Sequence, residues 1–172
     1  MKISNLYPKE YVKSTYGIDF EGLFEKGFRG VIFDVDNTLV PHGAPADERA
    51  VEFFERLNAI GFKAVLLSNN KEPRVKSFCE DVKFASYIYR AGKPNPKGYL
   101  KACENMGIKP EEAIFVGDQI FTDVWGANRA GIFSFMVEPV LKWKEEPQIV
   151  LKRFAEAVVL GLYKIHIKKT RR

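Results

Sequence analysis

The chain has 172 residues, 46% of them hydrophobic and 28% charged, with 13 Gly and 9 Pro. That balance excludes collagen-like, low-complexity and wholly disordered chains. A chain of this length buries roughly two-thirds of its unfolded surface, so one domain over residues 1–172 with a core of its own is expected. The opening MKISNLYPKEYVKS lacks the apolar stretch of a secretory signal, and no run approaches the roughly 18 apolar residues of a spanning helix. A cytoplasmic location is therefore expected. Cys79 and Cys103 fall in apolar-periodic stretches and read as buried small side chains, a disulfide between them being the less favoured alternative.

Charge is unevenly placed. Residues 1–139 carry 18 basic and 19 acidic side chains, whereas residues 140–172 carry 9 basic and 3 acidic, so the whole net charge of +5 comes from the C-terminal end. Such an end either meets something anionic (a membrane surface, a nucleic acid or an acidic partner) or is a solvated basic face.

In chain order, residues 1–30 read as an irregular lead-in closed by the two glycines of FEKGFRG. VIFDV (31–35) is a short apolar run rich in branched residues, predicting a strand buried on both faces. After PHGAP, Asp47 is placed to cap a helix with Val51, Phe54, Leu57 and Ile60 on its apolar side, stopped by Gly61. KAVLLS (63–68) predicts a second strand, Pro73 to about Val82 a helix, and FASYIY (84–89) a third strand. Pro96 to Met106 is helical, with Gly107 as its stop. AIFV (113–116) is a fourth strand, 120–130 a helix ended by Gly131, and IFSFMV (132–137) a fifth strand. Alternation of strands and helices predicts an α/β fold with a five-stranded parallel sheet between two helical layers. After Pro139 a helix is expected over 147–165, then the tail KIHIKKTRR.

In such a fold ligands bind beyond the carboxyl ends of the strands. The first strand ends in Asp34-Val35-Asp36-Asn37-Thr38, the second in Ser68-Asn69-Asn70, and the fourth in Gly117-Asp118 with Asp123 following; Lys93 lies just after the third. Taken singly, each polar residue reads better as turn chemistry or a helix cap. As a set they do not, because several carboxylates on one rim need a cation or a bound proton to offset their repulsion. Hard oxygen ligands around an open site suit Mg²⁺.

FDVDNTLV, LLSNN, GKPNP and VGDQIFTD, in this order, resemble the four motifs of the haloacid dehalogenase (HAD) superfamily of phosphatases over about residues 27–140. LYPKEYV, DVDNTLV, SNN, KP, GDQIFTDVWGAN and VEPV are closer still to its YqeG-type, capless class IIIA branch, a likeness spanning nearly the whole chain. The resemblance implies a Rossmann-like three-layer sandwich and an Mg²⁺-dependent phosphomonoester hydrolase working through an aspartyl phosphate. It implies Asp34 as nucleophile and Asp36 as general acid and then base. Ser68, Asn69 and Lys93 would bind the phosphoryl group. The metal would be held by Asp34, Asp118 and the Asp36 main-chain carbonyl, with Asp123 supporting that shell and Thr38 ordering the first loop.

Only 29 residues separate Thr38 from Ser68, and only 24 separate Ser68 from Lys93, so neither gap holds the cap domain common in this superfamily. An open site suits a large substrate: a lipid head group, a protein or a nucleic-acid end. His42 and Arg74, expected in loops near the rim, either touch such a substrate or are simply exposed. Val150, Leu151, Phe154, Val158, Leu162 and Ile165 recur at helical spacing, a stripe that either packs on the sheet or lies in a membrane interface. With the acid-free stretch from Lys164 to Arg172, residues 147–172 could make a peripheral contact with an anionic membrane. Some eukaryotic members of the resembled branch are phosphatidylglycerophosphate phosphatases, which makes that lipid a candidate substrate. A nucleic-acid-end phosphatase is less favoured, since the aromatic residues are committed to strands and helices and leave no stacking platform. The resemblance also leaves a non-catalytic alternative, because bacterial relatives are often encoded beside a ribosome-associated GTPase that could be a partner.

Overall fold

The computed structural model describes residues 3–141 and 147–170, and the side chains among them except those of 147–153 and 169–170. Its strands are β1 (Glu10–Val12), β2 (Gly30–Phe33), β3 (Lys63–Leu67), β4 (Ser86–Ile88), β5 (Ala113–Gly117) and β6 (Phe133–Val137). Its helices are α1 (Phe20–Glu25), α2 (Glu48–Ile60), α3 (Glu72–Val82), α4 (Pro96–Met106), α5 (Trp125–Arg129) and α6 (Pro147–Thr170). The sheet order is β1-β6-β5-β2-β3-β4, and every pairing is parallel.

The sheet thus has six strands where the sequence predicts five. The extra strand, β1, and the short helix α1 both come from the lead-in expected to be irregular. Glu10-Tyr11-Val12 carries too little apolar signal to announce a strand; it becomes one because it lies parallel beside β6, with Tyr11 in register with Met136. A short, half-exposed edge strand of this kind is decided by its neighbour. The other five strands fall where predicted.

Both sheet faces are covered. Val31, Phe33, Leu66 and Val116 pack under α1, α2 and α3, where Phe20, Phe53, Phe54 and Phe62 meet edge-on at ring separations of 5.5 to 5.8 Å. Ile32, Val65, Leu67 and Phe115 face Tyr99, Ala102 and Ala127 of α4 and α5. Helix ends follow the local chemistry. Asp47 accepts the Ala50 N–H at 2.8 Å, and Gly61 ends α2 at φ 106°, a conformation glycine adopts without strain. On α2 the buried side is Ala50, Phe53, Phe54 and Leu57, while Val51 and Ile60 are only half-buried. Cys79 and Cys103 are both free and buried; burial pushes the Cys103 thiol up to about 11.

The C-terminal helix departs most from expectation. It runs to Thr170, through most of the predicted tail, and the apolar stripe is not its packing face. Phe154, Val158, Leu162 and Ile165 are 74%, 65%, 40% and 55% exposed, while Glu156, Val159 and Tyr163 are buried. Val159 joins Leu6, Ile120, Val124 and Met136 in a small cluster of its own. The side chains of Val150 and Leu151, like Arg171 and Arg172, lie outside the described residues. Among the described residues no helix is long and apolar enough to cross a membrane.

Candidate active site

β2 lies between β3 and β5; the chain passes from it to β3 and β4 on one side and then crosses to β5 and β6 on the other, so the switch point falls where β2 and β5 end side by side. Asp34 follows β2 and Asp118 follows β5, with Asp34 N–H donating to Val116 O at 2.9 Å. Ser68 follows β3. The parallel register, with Phe33 opposite both Leu66 and Val116, brings all three to one rim.

The loop after β2 folds back on itself. Asn37 takes φ 64°, which asparagine tolerates better than most residues, and its N–H reaches Val40 O at 2.8 Å. The lead-in clamps this loop from outside. Thr15 Oγ1 donates to Thr38 O at 2.9 Å, and Tyr16 Oη to Leu39 O at 2.8 Å. Thr38 then sits between two carboxylates, its hydroxyl 3.3 Å from Asp34 Oδ2 and 3.4 Å from Asp118 Oδ1.

Lys93 is the cationic centre. Its Nζ lies 2.6 Å from Asp34 Oδ1 and 2.8 Å from Asp123 Oδ1, and all three groups are buried. Burial works against the lysine's charge, yet Asp123 and Asp34 hold its pKa above the ordinary value. For Asp34 burial dominates and pushes the carboxyl up to about 6 against the pull of Lys93, with Asp123 and Asp36 adding to the rise. Asn69 orients the lysine through its backbone: the side-chain Oδ1 accepts Lys93 N–H at 2.8 Å, and Nδ2 donates to Lys93 O at 3.2 Å. Ser68 Oγ accepts the Asn70 N–H at 3.1 Å. Asp123 Oδ2 takes the Gln119 N–H at 3.1 Å, closing the turn that follows Asp118. The eight residues singled out from the sequence therefore gather in one place.

The carboxylates of Asp34, Asp118 and Asp123 can bring one oxygen each within 4.8 Å of one another. Three buried carboxylates cluster around the ammonium of Lys93, and a hard divalent cation with oxygen ligands suits such a cluster. The donor set thus fits Mg²⁺. Asp36 stands apart from this group. Its Oδ1 accepts from Arg74 Nη2 at 2.9 Å and Gly43 N at 2.8 Å, and its Oδ2 from Asn70 Nδ2 at 2.6 Å. Arg74 belongs to α3, not to a loop, and is 21% exposed and ion-paired. His42 does reach the site, a cleft of about 250 Å³ lined also by Asp34, Asp36, Ser68, Asn69 and Lys93.

Asn37, Asn70, Gln119 and Thr122 also line the cleft; they lie within DVDNTLV, LLSNN and VGDQIFTD, but the sequence alone gives them no role. Their place within those stretches is the signal that could have found them. The segments joining β2 to β3 and β3 to β4 each hold one helix, so no cap covers the cleft.

A family model described as haloacid dehalogenase-like hydrolase matches residues 44–131. The chain is also 42% identical over 134 residues to the probable phosphatase YqeG of Bacillus subtilis (strain 168), covering 77% of each chain. The chain belongs to the HAD-like hydrolases, in the YqeG-type branch. The phosphatidylglycerophosphate phosphatase 1, chloroplastic/mitochondrial, of Arabidopsis thaliana is 32% identical over 171 residues, 94% of this chain; the chain spans about half (48%) of that relative's length. Among solved structures, an uncharacterised protein from Listeria monocytogenes serotype 4b superposes with a TM-score of 0.56 at 21% identity, over 70% of this chain and 85% of that one. This last likeness speaks for the fold alone. The family match begins at residue 44, after Asp34 and Asp36, so those two rest on the site geometry.

Proposed function

We propose that this HAD-family phosphatase hydrolyses phosphomonoesters through Asp34 with Mg²⁺ as cofactor, on a large or lipid substrate. The observation that carries the reading is the Lys93 ammonium bridging Asp34 Oδ1 and Asp123 Oδ1 within a three-carboxylate cluster at the floor of an uncapped cleft. An Asp34 carboxylate oxygen attacks phosphorus, the bond from phosphorus to the leaving oxygen breaks, and Asp36 gives that oxygen its proton. Water then attacks the aspartyl phosphate, Asp36 takes a proton from it, and the Asp34–phosphorus linkage breaks to release phosphate. Ser68, Asn69 and Lys93 hold the phosphoryl oxygens while negative charge shifts among them. Asp34, Asp118 and the Asp36 main-chain carbonyl would hold Mg²⁺, which supplies charge neutralisation when bound, with Asp123 bracing the set and Thr38 fixing the spacing of Asp34 and Asp118.

Phosphatidylglycerophosphate is the proposed lipid. The cleft has no cap, and the Arabidopsis relative carries that substrate in its name. The exposed row Phe154, Val158, Leu162 and Ile165, on a helix that also exposes Lys164 and Lys168, suits the surface of an anionic bilayer. The enzyme would then work peripherally at that surface.

The test is phosphate release from phosphatidylglycerophosphate in mixed micelles with Mg²⁺, beside an aryl phosphate and a 5′-phosphorylated oligonucleotide, with Asp34→Asn as the blank. Release from the lipid well above both comparators supports the lipid reading. Release from the aryl phosphate alone keeps the chemistry and removes the lipid, and preference for the oligonucleotide favours a nucleic-acid-end phosphatase. Silence on all three overturns the enzyme reading in favour of a binding role, such as partner of a ribosome-associated GTPase.

A further inference from the structure

Asp36 is held as tightly as any side chain in the cleft, yet by none of the groups that hold Asp34. Its Oδ1 accepts two hydrogen bonds, from Arg74 and from the Gly43 backbone, and its Oδ2 accepts one, from Asn70. A carboxylate oxygen offers about two lone-pair sites. Oδ1 is saturated by these donors, and Oδ2 keeps room for one more.

Arg74 is placed at some cost. It extends from the first turn of α3 over the Phe78 ring, 5.6 Å from its centroid, and the ion pair with Asp36 is 21% and 12% exposed on its two sides. Its Nε is buried without a hydrogen-bond partner. An unsatisfied buried donor is unfavourable, and a partly buried ion pair offers little net stability to offset it. Arg74 is thus poorly explained as a stabilising residue.

We propose that Arg74 is a positioning residue for the proton-transfer step: by saturating Oδ1 together with the Gly43 N–H, it leaves Oδ2 of Asp36 as the oxygen that exchanges the proton. This rests on the proposed role of Asp36. In the first half-reaction the proton on Oδ2 passes to the leaving oxygen as its bond to phosphorus breaks; in the second, Oδ2 takes the proton of the attacking water. Without Arg74, Oδ1 keeps only the Gly43 N–H and gains room for a proton, so the two oxygens compete for it.

The test compares kcat/KM on p-nitrophenyl phosphate and phenyl phosphate, which are alike in size but differ in how much the leaving oxygen needs a proton. This parameter reports the first half-reaction without the hydrolysis that follows. Arg74→Met should lower the phenyl-to-nitrophenyl ratio of kcat/KM about tenfold or more, and Arg74→Lys should restore part of it. An unchanged ratio with wild-type activity intact overturns the proposal and leaves the phosphatase reading standing. Turnover persisting in Asp34→Asn overturns the nucleophile reading itself and this proposal with it. Melting temperatures of the variants separate a misfolded protein from a misplaced proton donor: Asn70→Ala, which removes only the Oδ2 donor, should leave the ratio closer to wild type than Arg74→Met does, and the reverse order counts against the assignment.

Discussion

Glu156 Oε1 accepts the backbone N–H of Ile120 at 2.7 Å, with both residues buried. A helix far along the chain therefore caps the π-helical turn Ile120–Val124, which carries Asp123 and begins two residues after Asp118. Removing the acceptor leaves a buried N–H unsatisfied, at a cost of about 1–3 kcal/mol. Glu156→Ala should lower the urea midpoint accordingly and reduce kcat, because the turn bearing Asp123 loosens. Glu156→Gln, which keeps an acceptor, should retain more than half of the lost stability. A wild-type midpoint in the alanine variant would show that α6 does not brace the site.

Titration of Asp34 gives a signed expectation for the metal-free protein. Its carboxyl is raised from 3.8 to about 6 by burial first. Between about pH 4 and 6 the folded state therefore holds a proton that the unfolded state has released, so this group's contribution to stability falls as pH rises and levels off above 6. The wild-type melting temperature, taken relative to Asp34→Asn, should decline across that window. A difference that is flat or rising with pH refutes the expectation.

Millimolar Mg²⁺ at pH 7 should raise the melting temperature by several degrees, since a ligand bound only by the folded state stabilises it in proportion to RT ln(1 + [L]/Kd). Asp118→Asn should abolish the shift. Equal shifts in both proteins would place the ion elsewhere.

Gly117 has no room for a side chain. A Cβ there would stand 2.5 Å from Asp123 Oδ2 and 2.6 Å from its Cγ. Gly117→Ala should displace Asp123 from Lys93, lowering phosphate release more than tenfold while costing about 1–3 kcal/mol of stability. Full activity in a folded alanine variant would show that Asp123 need not be fixed.

The exposed row on α6 separates surface function from folding. Val158→Glu and Phe154→Glu should leave stability within about 0.5 kcal/mol, because neither side chain is buried. Both should reduce sedimentation with vesicles containing phosphatidylglycerol. Unchanged sedimentation would remove the membrane contact from the reading.

Much of this protein is legible in one dimension. The five strands β2 to β6 come from short apolar runs, α2 to α4 from caps and punctuating glycines, and the absence of a cap domain from gaps of 29 and 24 residues. The gathering of Asp34, Ser68, Lys93 and Asp118 at one rim follows from the rule that parallel strands present their carboxyl ends together. Local propensity and strand order are properties of the chain itself, so a sequence can specify them.

What the tertiary structure decided is whatever depends on a distant partner. Glu10–Val12 is a strand only because β6 lies beside it. Thr15 and Tyr16, in a lead-in without apparent pattern, clamp the Thr38–Leu39 backbone. The three- and four-residue spacing of the apolar stripe on α6 identifies a face but not its environment, and the packed face is instead Glu156, Val159 and Tyr163. Arg74 reaches Asp36 across 38 positions, an ion pair no periodicity announces. Periodicity encodes which residues share a face; which face meets a neighbour, and which charge meets which, is settled only when the folded chain brings the far segments into contact.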